Sequence, residues 1–156
     1  MTDVTVNMGG VLDAMYDLGA STQDMRSGFR AGLSYLKGYM TAYPPQSSRP
    51  QPFRTDRQRR GFFAKLKSGE IEVPYRRGTS PGSRQLSKSW QISVSTLQGE
   101  LGTRVPYAPL VQSRSEQTRY HKATGWTTAE DVQERHGERA AEIVQETVMA
   151  RIRGGK

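Results

Sequence analysis

The chain of 156 residues contains no cysteine. That excludes disulfide scaffolds, thiolate zinc sites and cysteine nucleophiles together. It has only two histidines, His121 and His136, so a metal site would draw most of its ligands from carboxylates. Hydrophobic residues make up 34% of the chain, and no run approaches the roughly 20 apolar residues of a membrane span. The N-terminus lacks the basic, apolar and small-residue series of a secretory leader, so the expected compartment is the cytoplasm or a particle assembled there. There is no Gly-Lys-Ser/Thr phosphate loop, no dinucleotide fingerprint and no Gly-Xaa-Ser-Xaa-Gly elbow. The length suits one domain.

Positive charge is abundant and concentrated. The net charge is +8, and residues 41–90 alone carry +8, while residues 1–40 and 126–156 each carry −1. A basic block of this kind favours an anionic partner, or else serves as a solvated surface. Arg57, Arg59, Arg60, Arg76 and Arg77 are its candidate contact residues.

Apolar residues at Val11, Leu12, Met15, Leu18, Met25, Phe29, Leu33, Leu36 and Met40 recur at three and four, which predicts a long helix over 8–40. A break at Gly19-Ala20-Ser21, with Ser21 capping a second helix, is the competing reading. Gly28 and Gly32 are four apart and would let another helix approach closely. Residues 41–54 hold Pro44, Pro45, Pro50 and Pro52 and read as an extended arm or linker with few contacts to its own subunit. Thr55-Asp56-Arg57-Gln58 is a capping-box pattern that opens a helix to about Lys67, with Phe62, Phe63 and Leu66 as its apolar patch and Gly69 as its stop. Ile71-Glu72-Val73 suits a short strand, and residues 76–85 a loop.

Trp90, Ile92 and Val94 alternate with polar residues, as do Leu101, Thr103 and Val105. This predicts an antiparallel hairpin over about 89–106, turning at Leu97–Glu100. Residues 113–125 read as polar and irregular. Thr127 with Glu130 is a second capping box, opening a last helix to about Arg153 with Val132, His136, Ala140, Ile143, Val144, Val148 and Ile152 on one face. The expected fold class is therefore α+β: a long N-terminal helix, an extended arm, a short antiparallel sheet and a C-terminal amphipathic helix. Both tryptophans are expected to be mostly buried, linking hairpin and last helix.

Chemistry is sparse. His121 would need an orienting carboxylate to act as a base, and Glu130 or Asp131 could supply it. A loop pinned by His121 and the burial of Trp126 explains the same residues. Glu130, Glu134, Glu138, Glu142 and Glu146 form an i,i+4 row that reads as a solvated or partner-facing stripe.

Three pieces in order resemble a known family. They are Thr55–Phe63 with Gly69-Glu70-Ile71 and Pro74–Arg77; Leu86-Ser87-Lys88-Ser89-Trp90 entering a strand; and Val105-Pro106-Tyr107-Ala108-Pro109-Leu110-Val111 followed by Tyr120-His121 and Gly125-Trp126. Over about residues 55–150 the chain looks like the minor tail proteins of tailed phages called tail-completion or head–tail joining proteins. It departs from them at Gln112-Ser113-Arg114-Ser115, where the family commonly has Glu-Xaa-Gly-Thr. The resemblance implies a non-enzymatic virion protein without cofactor or metal. It would form a homo-oligomeric ring, six-fold by resemblance, at the head–tail junction. Its neighbours would be connector or stopper proteins and tail terminator or tail-tube proteins, with packaged DNA nearby and no membrane. Arg57, Arg59, Arg60, Arg76 and Arg77 would then face partners, while Trp90, Tyr107, His121 and Trp126 would belong to the structural loop and core. The alternative is a small basic nucleic-acid-binding module using residues 49–77.

Overall fold

A computed structural model describes residues 2–6, 19–46, 53–70, 78, 84–95 and 98–154. The elements follow in the order β1 (Thr2–Val6), α1 (Thr22–Met40), α2 (Asp56–Ser68), α3 (Gln85–Ser89), β2 (Gln91–Val94), β3 (Gly99–Thr103), α4 (Ala108–Gln112), α5 (Arg119–Ala123) and α6 (Ala129–Gly154). The class is α+β, with two long helices packed together and a small antiparallel sheet.

The N-terminal helix starts at Thr22, not at residue 8. Gly19 adopts φ 82°, which a right-handed helix cannot continue through. Ser21 then caps α1: its Oγ accepts from the Asp24 N–H at 3.2 Å, and Asp24 Oδ2 accepts from the Ser21 N–H at 3.1 Å. The stretch 8–18 of the expected helix lies outside the described residues.

Met25, Phe29, Leu33, Leu36 and Met40 form the buried stripe of α1, and Val132, Ala140, Val144 and Val148 that of α6. The two helices run antiparallel and touch at backbone distance. A methyl group on Gly28 would sit 2.9 Å from the Val144 carbonyl oxygen, and one on Gly32 2.8 Å from that of Ala140.

The sheet order is β1-β3-β2, with β3 central. β2 pairs with β3 from Gln91↔Gly102 to Val94↔Gly99, so the hairpin is shorter than expected and its strands end at Thr103. Gly99 and Glu100 belong to β3 rather than to the turn, which closes through Ser95 and Gln98. β1 adds a third strand, from Thr2↔Thr103 to Val6↔Gly99, which the sequence reading had not proposed. The sheet lies on α1 through Leu101, which is fully buried, and through Gly99, where a Cβ would come within 2.8 Å of Leu33 Cδ1.

Three further corrections concern the connections. Residues 85–89, expected as the end of a loop and a strand entry, form α3. The stretch 113–125, expected to be irregular, holds α5, capped by Thr118, and α4 lies just before it at Ala108–Gln112. The start of the Pro-rich segment does not stand free. Pro44 is buried, Tyr43 Oη donates to Ser87 Oγ at 3.3 Å, and the Tyr43 ring meets Trp126 edge-on at 5.1 Å. Residues 47–52 of that segment, and the strand expected at Ile71–Val73, lie outside the described residues.

The helix contact generates a pair of opposite predictions. Gly32→Ala should destabilise the protein. Backbone oxygen cannot yield as a side chain can, and overpacking costs about 1–3 kcal/mol against a helix-propensity gain of at most ~1 kcal/mol. Gly38→Ala, in the same helix but with open space around it, should be neutral to stabilising by up to ~1 kcal/mol. Chemical denaturation of the two variants checks the signs, and equal shifts would contradict the close approach.

Candidate partner interface

The basic block condenses on α2. Thr55 Oγ1 accepts from the Gln58 N–H at 3.2 Å, and Gln58 Oε1 accepts from the Arg54 N–H at 2.9 Å, one residue ahead of the usual reciprocal bond. Gly69 closes the helix at φ 80°. Asp56 in the first turn and Lys65 and Lys67 in the last complement the helix dipole. The ends of α2 are thus well determined, yet none of its residues is buried.

Its apolar side closes on itself. The rings of Phe53 and Phe62 lie 5.2 Å apart, those of Phe62 and Phe63 5.7 Å, and Phe63 is still 54% exposed. Arg57, Arg59 and Arg60 are exposed beside this cluster, and among the described residues no carboxylate pairs with them. Asp56, Arg59, Arg60 and Phe63 line a shallow groove of about 400 Å³. Arg76 and Arg77 lie outside the described residues, so their relation to α2 is not part of this geometry.

The other candidates are dispersed. Trp90 is buried in the main core, 1% exposed, and its Nε1–H donates to Gln112 Oε1 at 3.3 Å. Trp126 is only half-buried and packs on a second cluster of Leu86, Val105, Ala108 and Val111. Tyr107, expected in the core, stands 37% exposed at the start of α4. His121 Nδ1 meets Thr118 Oγ1 at 2.8 Å, and its ring lies edge-on to Trp126 at 6.1 Å.

The carboxylates proposed to orient His121 are engaged elsewhere. Glu130 accepts from the Arg114 N–H at 3.1 Å, and the Arg114 guanidinium bridges Asp131 at 2.9 Å and Glu134 at 2.7 Å. The cap of α6 is accordingly Thr128 with Asp131, one residue later than expected: the Asp131 N–H donates to Thr128 Oγ1 at 3.1 Å, and Asp131 Oδ2 accepts from the Thr128 N–H at 3.2 Å. His136 belongs to neither site; the Tyr39 ring stacks on it at 3.7 Å, and Tyr35 Oη lies 3.5 Å from its Nδ1. Among the described residues no three His, Asp or Glu converge as a metal site, and no helix is long and apolar enough to cross a membrane.

Sequence reasoning missed two structural residues. Gln112, 1% exposed, accepts from Trp90 and donates through Nε2 to the Met40 carbonyl at 2.8 Å, tying α4 to the end of α1. Arg114 ties the turn after α4 to the first turns of α6. The only signal for Arg114 was a cation placed ahead of an acidic helix start; Gln112 had none.

No family model matches the chain, and no curated protein or solved structure matches it.

Two predictions follow from these ties. Gln112→Leu should cost about 1–3 kcal/mol for each buried partner it orphans, the Met40 carbonyl and the Trp90 indole N–H, measurable by urea unfolding. The Arg114 clamp should be pH-dependent. Hydrogen bonding from Thr128, then from Arg114, holds the Asp131 carboxyl below its ordinary 3.8, and Arg114 holds Glu134 below 4.5. Both carboxyls are lowered in the folded state, so their contribution is full above those ordinary values and is lost as pH falls through the lowered ones. The melting temperature of Arg114→Gln should therefore lie below that of the parent at neutral pH, and the gap should close on acidification below that range. A gap that persists in acid would show that packing of the Arg114 stem, not its charge, accounts for the loss.

Proposed function

We propose that this chain is a structural virion protein of a tailed phage, forming a homo-oligomeric ring at the head–tail interface and joining the connector to the tail. The observation that carries this reading is α2. It is a well-capped helix with no buried residue, whose phenylalanine rings among the described residues meet only one another, flanked by arginines without described counter-ions. A subunit in a ring resolves such a surplus by burying helix faces and arms against its neighbours through head-to-tail contacts. The order of the three motif pieces over about residues 55–150 supports the class of assembly. The role in this reading is mechanical: α2 docks, the α1–α6 pair holds its shape, and no step of chemistry is required.

The mechanism divides the work between ring and charge. Burial of a phenylalanine side chain contributes about 1.5–3 kcal/mol, so Phe62 and Phe63 would supply affinity. Exposed ion pairs contribute about 0.2–1 kcal/mol each, so Arg57, Arg59 and Arg60 would orient the encounter. The same exposed arginines also favour the alternative, a nucleic-acid-binding module based on residues 49–77, and one set of measurements separates the two.

Light scattering after size exclusion, alone and with connector and tail-tube proteins, should show a closed oligomer of the parent chain. Phe62→Ser with Phe63→Ser should abolish it while leaving the unfolding of the α1–α6 core within about 0.5 kcal/mol, because neither ring belongs to that core. Arg57→Gln with Arg59→Gln and Arg60→Gln should slow assembly without unfolding the subunit. A parent chain that stays monomeric with every partner, or a serine variant that assembles normally, would overturn the ring. Salt-sensitive binding of DNA that disappears in the glutamine variant would favour the alternative instead.

A further inference from the structure

A second basic site exists away from α2, assembled from segments that are not basic in sequence. Arg26 and Arg30 project from α1, and Arg151 comes from the last turns of α6. With Ser27, Ser34 and Val94 they line an open groove of about 580 Å³. No carboxylate is among the described residues that line it.

Three features argue that the groove is built for an anion. Arg26 and Arg30 are one turn apart, about 6 Å of rise, where like charges on a helix repel rather than support it. Among the described residues neither pairs with a carboxylate. A third guanidinium is added to them from the other helix. Arg151 Nη1 lies 3.7 Å from Asp24 Oδ1, while the other oxygen of that carboxylate is committed to the cap of α1. Asp24 thus pairs with Arg151 and leaves Arg26 and Arg30 without a carboxylate partner among the described residues. The Ser27 and Ser34 hydroxyls already donate to the carbonyls of Gln23 and Arg30, so hydrogen bonding to a ligand falls to the guanidinium groups.

We propose that this groove binds the phosphates of a nucleic-acid backbone, without reading sequence. Guanidinium forks match phosphate oxygens bidentately. A duplex offers one charge per ~3.4 Å of each strand, so an arginine pair about 6 Å apart can meet two of them. Among the described residues that line the groove none is aromatic, so none offers a base a stacking face, which points to backbone contact and not to single-strand recognition. Among the described lining residues Val94 is the one sizeable apolar element, too little to anchor an acidic peptide, which needs a buried hot spot as well as charge. The groove lies on α1, α6 and β2 and the assembly surface on α2, so either can act without the other.

Fluorescence anisotropy with a short labelled duplex of arbitrary sequence, read across a salt series, tests this. Arg26→Gln with Arg30→Gln should lower the slope of log affinity against log salt by about 1.8. Between about 50 and 200 mM salt that corresponds to roughly twelvefold less loss of affinity than in the parent. Arg151→Gln should lower the slope by about one more. Melting curves of both variants should stay close to the parent, since Arg26, Arg30 and Arg151 are all exposed and the Arg151–Asp24 pair is a surface one. The α2 triple variant, Arg57→Gln with Arg59→Gln and Arg60→Gln, should keep most of the slope.

Several outcomes would overturn the groove: no duplex binding by the parent chain, loss confined to the α2 variant, or equal loss in both variants in proportion to charge removed. Arg151→Gln without effect would show that the two helices do not act together. Competition arms identify the source of the charge. Displacement of the duplex by poly-glutamate at matched charge would assign the groove to an acidic protein, and binding of tripolyphosphate without duplex would assign it to a free phosphate; either result overturns the nucleic-acid assignment. Assembly mass is a separate readout: the ring stands or falls on it, except that loss of duplex binding confined to the α2 variant also counts against the ring, and failure of the ring leaves this result intact.

Discussion

The contact on which the rest depends is the backbone approach of α1 to α6 at Gly28 and Gly32. Both glycines face carbonyl oxygens of α6, those of Val144 and Ala140. Such a contact fixes register as well as distance, because a shift of one residue along either helix would put a side chain against backbone. The antiparallel register then propagates to both ends. Toward the C-terminal half of α1 it sets Tyr35 and Tyr39 on His136. Toward its N-terminus it sets Asp24 beside Arg151. On the flank of α1, Phe29 and Leu33 close on Gly99 of the central strand, a third place where a missing Cβ permits contact. Sheet, helix pair and basic groove are therefore consequences of one spacing of small residues.

Against that interior, α2 is held together by different forces. A helix of 13 residues is near the length at which isolated helices are marginal in water. It has no buried face to compensate. What remains is local: the Thr55 cap, worth about 1 kcal/mol, the left-handed Gly69, the charges placed along its dipole, and the Phe53–Phe62–Phe63 cluster. Local terms of this size order a helix without making it rigid. A partner that covers the phenylalanines would add the burial that α2 lacks, and that gives an assembly surface both its affinity and its conditional character.

Legibility in the sequence divides along the same line between local and non-local causes. The ends of α2 were readable because each is set locally: Thr55 caps Gln58 three residues on, and Gly69 closes back on Leu66 three residues before. The stripes of α1 and α6 were readable because burial imprints a 3.6-residue period, and the Gly28–Gly32 spacing told of a close helix before its partner was known. The start of α6 slipped by one residue because Thr127 with Glu130 and Thr128 with Asp131 satisfy the same pattern, and only the engagement of Asp131 by Thr128 and Arg114 decides between them. The five-residue helices α3, α4 and α5 are too short for periodicity to register. The pairing of β1 with β3 joins residues about a hundred positions apart, for which a single sequence carries no local mark. Gln112 was invisible for a related reason: its value lies in reaching Met40 and Trp90, neither of which is a chain neighbour.

Charge shows the limit most sharply. Segment bookkeeping placed the whole positive excess in residues 41–90, and α2 does carry an exposed share of it. Residues 1–40 and 126–156 were each −1 and gave no reason to expect a cationic site. Yet the acids of the last helix are drawn off locally, Asp131 and Glu134 by Arg114, Glu142 and Glu146 by Arg139. Asp24 is drawn off by the Ser21 cap. The cations left over, Arg26 and Arg30, meet Arg151, which Asp24 pairs at 3.7 Å, only because the glycine register brings the two helix ends together. Net charge along a chain is thus a poor guide to potential over a surface when carboxylates are consumed by caps and clamps. What a partner meets is the remainder after folding has used its share.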